Sequence, residues 1–461
     1  MQNKDRRHLV DLEMEKLLKE VLKEITPTEE EHLEEHKLVE DISKRLRKCE
    51  VTPILVGSLA KGTDIRNNKD IDIFIMFPED TSREELEKRG LEIGKKVFSE
   101  MKIPYEIDYA EHPYICGTFG KHIIEIVPCY DTKEVKSAVD RTPYHTHYVK
   151  KKLSRAPTMR DDIRLLKQFM KGVGVYGAEE KVRGFSGYLA ELLVINYGSF
   201  EKVLKAAADW KFGQALDPEN LWKDAGAVGY FFKGADLIIV DPVDKDRNAA
   251  AAVSKQKLSG YIVAAREFLK GPDKRFFFPD EGPAPDRKVL KKRMSDRGTK
   301  LIALEFTHQI INPNMLYSQL RKTQDAVTKK IEEQYFKVLK SDIWTDEENA
   351  SLIIFDLEIF GLPQVRQHTG PPIDQALKEQ EKFLEKYKKY LPYIKEDRWV
   401  ADIKRNYTEI EQLFPEIIKN RSGFGKNLRE LKDVKMMSCE DLLKTKNSEL
   451  LKVLDRLLTP L

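Results

Sequence analysis

Residues 55–77 read LVGSLAKGTDIRNNKDIDIFIMF. Gly57 and Ser58 open a turn, a short loop follows, and Asp70-Ile71-Asp72 heads an apolar run through Phe77. Side chains from Ile71 to Phe77 alternate between two faces, as in a buried strand. Asp70 and Asp72 are two apart, so both carboxylates leave the strand on one face. Unpaired anions side by side repel each other and resist burial. A divalent cation between them resolves the conflict, and hard oxygen ligands favour Mg²⁺, with Mn²⁺ an alternative. A DxD by itself is commonly an ordinary pair of strand-end acids. The Gly-Ser turn upstream, with its free amides, moves the reading toward a metal–phosphate site.

The rest of the 461-residue chain is too long for one core and predicts two to four domains. Lys+Arg (80) nearly balance Asp+Glu (77), a formal charge of +3 that excludes a wholly basic nucleic-acid coat but leaves room for local basic patches. Cys49, Cys116, Cys129 and Cys439 have no CxxC spacing and read as free thiols of a reducing compartment. With no apolar run of leader or membrane-span length, a soluble cytoplasmic protein is expected.

Helical spacing runs from about residue 5 to 25, and Thr28 with Glu31 forms a capping box for a second helix to about Cys49. Strands are expected at 53–56, 71–77, 103–110 and 122–127, with one helix near 82–101. Residues 155–270 read as mainly helical. There Arg160, Arg164, Lys167 and Lys171 line one helix face, either solvated or facing phosphate. Residues 271–286, GPDKRFFFPDEGPAPD, read as a linker whose Phe276–Phe278 cluster packs at a domain junction or touches RNA; packing is the favoured reading. Farther on come a strand at 301–306, a long helix over 314–340, a strand at 352–359, a turn-rich stretch at 367–372, a helix at 373–390 and a helical tail from about 404. The fold class is therefore multidomain α+β, ending in a ferredoxin-like or RNA-recognition-type region with a helical tail. The expected division is 1–150, 151–272 and 273–461.

Glu125 sits inside the apolar stretch HIIEIVP, residues 122–128, where an acid is costly unless it binds something. It is the leading candidate for a third carboxylate; Asp108, near a strand end, is its competitor. Gly-Ser, then DxD, then a lone acid on a later strand resembles the nucleotidyltransferase superfamily related to DNA polymerase β. In such a site one metal activates a 3′-hydroxyl and the other neutralises the triphosphate and leaving pyrophosphate.

The likeness sharpens further along. EHPYICGTFGKHIIEIVPCY (111–130), SAVDRTPYHTHYV (137–149), RLLKQFMKGVGVYGAEEKVRGFSGYLAELL (164–193) and DPVDKDRNAAA (241–251) resemble the archaeal (class I) CCA-adding enzymes, the tRNA nucleotidyltransferases that build the 3′-terminal CCA. The resemblance implies a polymerase β-like head with a mixed sheet, a helical central domain that binds nucleotide and tRNA, and a C-terminal tRNA-binding region. It assigns Asp70, Asp72 and Glu125 to catalysis and to two Mg²⁺ ions. It places Gly57, Ser58, Lys61, Thr142, His145, Lys167, Tyr176 and Arg247 around the nucleotide. It further implies addition of C, C and A from CTP and ATP, tRNA bound by its acceptor arm, an archaeal source and a homodimer. A poly(A)-type or partial CC- or A-only transferase is the alternative. Three positions depart from the family's usual choice: Asp70 replaces Glu, Glu125 replaces Asp, and Lys61 replaces Arg. The first two keep oxygen ligation; the third keeps a charge but loses the bidentate fork.

Overall fold

The computed structural model describes residues 2–66, 70–109, 111–132, 139–280 and 282–459, with no side-chain description for 2–11 and 225. Ser137 and Ala138 of the motif at 137–149 lie outside the described residues. The chain divides into two compact units, 1–281 and 282–461, and the residues on both sides of position 150 belong to the first.

Unit one opens with helices α1 (Gln2–Ile25) and α2 (Glu29–Arg47). The expected capping box is present: Thr28 Oγ1 accepts from the Glu31 amide at 3.2 Å, and the Glu31 carboxylate accepts from the Thr28 amide at 2.9 Å. Strand β1 (Thr52–Leu55), the short helix α3 (Gly57–Lys61), β2 (Asp70–Pro78), α4 (Arg83–Glu100), β3 (Tyr105–Tyr109), β4 (Pro113–Phe119) and β5 (His122–Asp131) follow. The sheet order is β1-β2-β5-β4-β3, with β2 and β5 parallel and the other neighbours antiparallel. Strand β4 was not expected from sequence; Pro113, Gly117 and Thr118 mask its alternation. Ile71, Ile73, Ile75 and Phe77 pack with Ile124 and Ile126 against Val39, Ile42 and Leu46 of α2 and Val97 and Phe98 of α4. Each such burial contributes roughly 1.5–3 kcal/mol. That face fixes the register, and the acids on the opposite face have no freedom to slip.

The remainder of unit one is α5 (Arg141–Arg155), α6 (Met159–Gly172), α7 (Gly187–Tyr197), α8 (Phe200–Ala208), β6 (Gln214–Leu216), α9 (Ala225–Phe231), β7 (Leu237–Asp241), β8 (Asp244–Asn248) and α10 (Lys255–Lys270). It is mainly helical, but β6, β7 and β8 form a small sheet that sequence periodicity missed. Met14, Val21 and Ile25 of α1 join this helical core rather than that of the five-stranded sheet. So does part of the stretch read as linker. Phe277 is fully buried against Phe169, Phe200 and Phe268, Phe276 stacks on Phe169 at 5.9 Å, and Gln168 Nε2 donates to the Phe277 carbonyl at 2.7 Å. A Cβ on Gly172 would come within 2.1 Å of the Phe276 carbonyl oxygen, so the strap lies flush on α6. Packing is thus the fate of these aromatics.

Unit two holds α11 (Arg287–Arg297), β9 (Lys300–Thr307), α12 (Pro313–Glu333), β10 (Lys337–Thr345), β11 (Ala350–Ile359), β12 (Val365–Pro372), α13 (Leu377–Tyr387), β13 (Tyr393–Lys395), β14 (Arg398–Lys404), α14 (Ile410–Asn420), α15 (Lys426–Glu430), β15 (Val434–Ser438), α16 (Cys439–Leu443) and α17 (Ser448–Leu458). Strands β9, β10, β11 and β15, interleaved with α12 and α14, give the order β10-β11-β9-β15, a ferredoxin-like sheet. One face packs on α12 and α14, the other on α11, α16 and α17. Three sequence expectations are corrected. The helix expected over 314–340 stops at Glu333: Tyr335 takes a positive φ of 71° and the chain re-enters as edge strand β10. The turn-rich stretch 367–372 lies in strand β12, which pairs with β14 through a bulge between Thr369 and Pro372 that absorbs the glycine and prolines. Strand β15 likewise interrupts the expected helical tail.

Candidate active site

The β2–β5 pairing sets Asp72 opposite Glu125 and Asp70 opposite Ile123. Alternation then puts Asp70, Asp72 and Glu125 on one face, opposite the isoleucine core. Asp70 is exposed, while Asp72 and Glu125 are half-buried. Burial, then the neighbouring Asp70, pushes the Asp72 carboxyl up to about 6 despite Lys61. Burial and the charge of Asp72 push Glu125 up to about 7. The Tyr114 hydroxyl, on β4, lies 3.2 Å from Glu125 Oε1 and 3.1 Å from Asp108 Oδ2, and donates to one or the other. Asp108 therefore shares this face through Tyr114, but Glu125 alone is register partner to Asp72.

Gly57 begins α3 with a positive φ of 71°, and a Cβ there would lie 1.8 Å from Asp72 Oδ2. Only glycine lets the turn's backbone come this close to the carboxylate. The turn is pinned by the Val56 amide donating to the Asp72 carbonyl at 2.9 Å. Ser58 occupies the second position of α3, and its carbonyl accepts from the Thr63 amide at 3.1 Å.

At the far end of α3, Lys61 Nζ is buried and bonds Glu191 Oε2 at 2.6 Å. Lys167 Nζ, from α6, bonds Glu191 Oε1 at 3.1 Å and the Thr63 carbonyl and hydroxyl at 3.0 and 3.1 Å. Glu191, on α7, is fully buried. Burial alone would raise its carboxyl; Lys167 and Lys61 outweigh that and hold it at about 2. Burial pulls Lys61 below the usual ammonium range, with Glu191 restoring part of it. Two lysines thus share one anion. Tyr176 closes the cluster: a Cβ on Gly187 would sit 2.9 Å from its hydroxyl and 3.7 Å from Lys167 Nζ. Lys171 lies 5.3 Å above the Tyr176 ring, and the charge of Asp70 supports its ammonium against burial.

The basic helix face takes neither expected role along most of its length. Arg160 donates to the Lys61 carbonyl at 3.2 Å. Arg164 donates to the Gly62 and Asp64 carbonyls, both at 2.9 Å. The stripe grips the loop after α3, which positions Lys61.

A second hub is Asp241, fully buried at the end of β7. His145 Nε2 donates to its Oδ2 at 2.8 Å, Arg247 to the same oxygen at 2.6 Å, and the Tyr188 hydroxyl to Oδ1 at 3.0 Å. Burial would raise this carboxyl, yet His145 and Arg247 among its partners hold it at about 2. Burial depresses the His145 imidazole more than Asp241 restores it. The imidazole stacks on Tyr188 at 3.9 Å. Thr142 lies on the same helix, α5, half-buried one turn before His145.

The fold therefore gathers the sequence-chosen residues into an acidic face touching Gly57, a Lys61–Lys167–Tyr176 cluster and a His145–Arg247 pair. Lys61 links them electrostatically, acting on both Asp72 and His145. Sequence reasoning missed the two organising acids. Glu191 lies in the apolar helix GYLAELLV and Asp241 closes the apolar run LIIVD. Each carries the signal that singled out Glu125, an acid among apolar neighbours.

Comparison with known proteins finds three family matches along the chain. Residues 35–145 match a nucleotidyltransferase domain family, 161–278 the tRNA nucleotidyltransferase second-domain family, and 297–438 the CCA-adding enzyme C-terminal domain family. The CCA-adding enzyme of Archaeoglobus fulgidus is 37% identical over 404 residues, 87% of this chain and 89% of that protein. That of Methanosarcina mazei is 38% identical over 418 residues, with the same shares. A solved cytoplasmic RNA terminal U-transferase superposes with a TM-score of 0.46 at 14% identity, over 57% of this chain and 95% of that one.

Proposed function

The chain belongs to the CCA-adding enzyme family, and on that premise we propose how its residues divide the work of adding C, C and A to the 3′ end of tRNA. It is a nucleotidyltransferase: CTP and ATP supply the nucleotides and pyrophosphate leaves. The observation that carries the residue assignment is the acidic face of β2 and β5 next to a buried lysine pair.

The fold implies dependence on a divalent metal, and the donor set fits one. Three hard carboxylates share a face, and two of them are held near neutrality by burial and mutual repulsion, a cost that a dication removes. On this reading Asp70, Asp72 and Glu125 hold two Mg²⁺ ions. When bound, such ions lower the pKa of the attacking 3′-hydroxyl and neutralise charge on the triphosphate.

Lys61, Lys167 and Ser58 receive the triphosphate. Glu191 neutralises only one of the two ammonium groups, so the pair keeps a net positive charge already oriented before substrate arrives. The depressed His145 contributes a hydrogen-bonding ring without fixed charge. Asp241 orients Arg247, which with Thr142 and the tRNA end faces the base; Tyr176 walls the pocket. In this division residues 1–150 carry the chemistry, 151–272 the nucleotide and part of the tRNA, and 273–461 the rest of the tRNA. The four described cysteines are free, which supports a cytoplasmic setting, and we propose a homodimer of 53.5 kDa subunits.

The test supplies tRNA lacking its terminal CCA with CTP, ATP and Mg²⁺. Extension by three nucleotides, abolished in Asp72→Ala, is expected. An open-ended A tail, or arrest after CC, would replace this reading with the corresponding transferase, and near-normal turnover of Asp72→Ala would overturn the metal assignment.

A further inference from the structure

We propose that His32, Glu35 and Asp64 form a second, structural metal site for a divalent transition cation of the Zn²⁺ type. His32 and Glu35 stand three apart on α2 and so face the same way, and Asp64 reaches them from the loop after α3. One ligand atom from each lies within 4.8 Å of the other two. His32 Nδ1 and Glu35 Oε2 are 3.6 Å apart, too far for a good hydrogen bond. It is close to the ~3.4 Å between ligand atoms set ~2.1 Å from a tetrahedral ion.

Burial gives the second argument. Glu35 is 4% and Asp64 5% exposed, and Asp64 Oδ1 has no hydrogen-bond partner among the described residues. A carboxylate oxygen so placed needs a cation. Arg164 acts on Asp64 through its charge, but its guanidinium is engaged by the carbonyls of Asp64 and Gly62 and by Asp161. Burial accordingly holds the Asp64 carboxyl above its ordinary range.

The donor set separates this site from the catalytic face. One imidazole nitrogen with two carboxylates suits a borderline ion, whereas three carboxylates suit Mg²⁺. The His32 side chain, 31% exposed, leaves a side for entry and for a water as fourth ligand. The ion's role follows from what it would join. The 62–66 loop carries Thr63 to the Glu191 network, and its end is already tied back by the Arg66 amide to the Ile25 carbonyl at 2.6 Å and by Arg66 to Glu31 at 3.1 Å. A metal at Asp64 fixes the middle of that loop to α2, so it acts on stability and on the setting of Lys61, not on bond making.

The experiment uses the full chain, stripped with chelator and then offered Zn²⁺ alone, in the parent and in an Asp72→Asn/Glu125→Gln background that removes the catalytic acids. Elemental analysis after desalting should find one Zn²⁺ per chain in both. His32→Ala and Asp64→Asn should lose it, and Co²⁺ substitution should give four-coordinate visible bands that the same changes abolish. Zn²⁺ should raise Tm by roughly 5 °C in the parent and not in His32→Ala. Retention of Zn²⁺ by both single variants would overturn the proposal. So would a parent that binds none while Asp64→Asn stabilises the metal-free protein, which would mark a carboxyl pair sharing a proton.

Discussion

On the proposed metal assignment, Asp72 and Glu125 would connect proton binding, metal binding and folding. Both carboxyls are raised, so the folded chain binds protons there more tightly than the unfolded chain. Their destabilising contribution is absent below about pH 4 and grows as pH rises to about 7. A dication reverses that balance, because it needs the deprotonated forms. Metal-free protein should therefore lose stability across this window while Mg²⁺ affinity increases across it. Asp72→Asn should raise the metal-free Tm at pH 8, by on the order of 2 kcal/mol in stability, and lower nucleotide addition by roughly 10³-fold. Thermal melts in chelator and single-turnover assays over pH 5–8 check both halves. A flat stability profile in the parent would reject the argument. Asp70 and Asp72 were readable in the sequence from their two-residue spacing at the head of an apolar run, and Glu125 from its place inside one. Glu191 and Asp241 carry the same signal as Glu125, but what they do depends on cations 24 to 130 and 6 to 96 positions away, which only the fold brings in.

At the scale of elements, α3 shows how a turn can serve a site through what it lacks. Gly57 has no side chain where one would collide with Asp72. Gly57→Ala should displace that carboxylate and strain a positive φ, cutting turnover by roughly 10²-fold. Its imprint on Mg²⁺ dependence should exceed that on tRNA binding, as filter binding beside kinetics would reveal; equal loss of both would mean the turn acts elsewhere. The elements read correctly from sequence are those with a strong period and a clean stop: α2 with its capping box, α4, β2, β5, β9 and β11. The missed ones are short or lie at edges. β10 and β12 are partly exposed, so their sequences carry polar residues, glycine and proline that mimic a helix tail or a turn. The α6 cations were visible as a stripe, but their acceptors are backbone carbonyls of residues 61–64, which no side-chain pattern records.

Over the whole molecule, charge near balance speaks against a uniformly basic surface and gives no hint of where cations gather. The ferredoxin-like sheet was legible in class, but its helices cover both faces, which closes it to bases stacking on exposed strands. The strap around Phe277 has a practical consequence for dissecting the enzyme. Punctuation by Gly271 and Pro272 invites a cut there, yet removal of 271–280 would bare Phe169, Phe200 and Phe268 to water. A fragment 1–280 should melt cooperatively and stay soluble, and a fragment 1–270 should melt at least 5 °C lower or aggregate, at roughly 1.5–3 kcal/mol per uncovered phenylalanine. Calorimetry on the two fragments decides it; identical melting would mean the strap is passive. The place to part this chain is ten residues beyond its most obvious seam, because the apparent tether is the latch of the body it leaves.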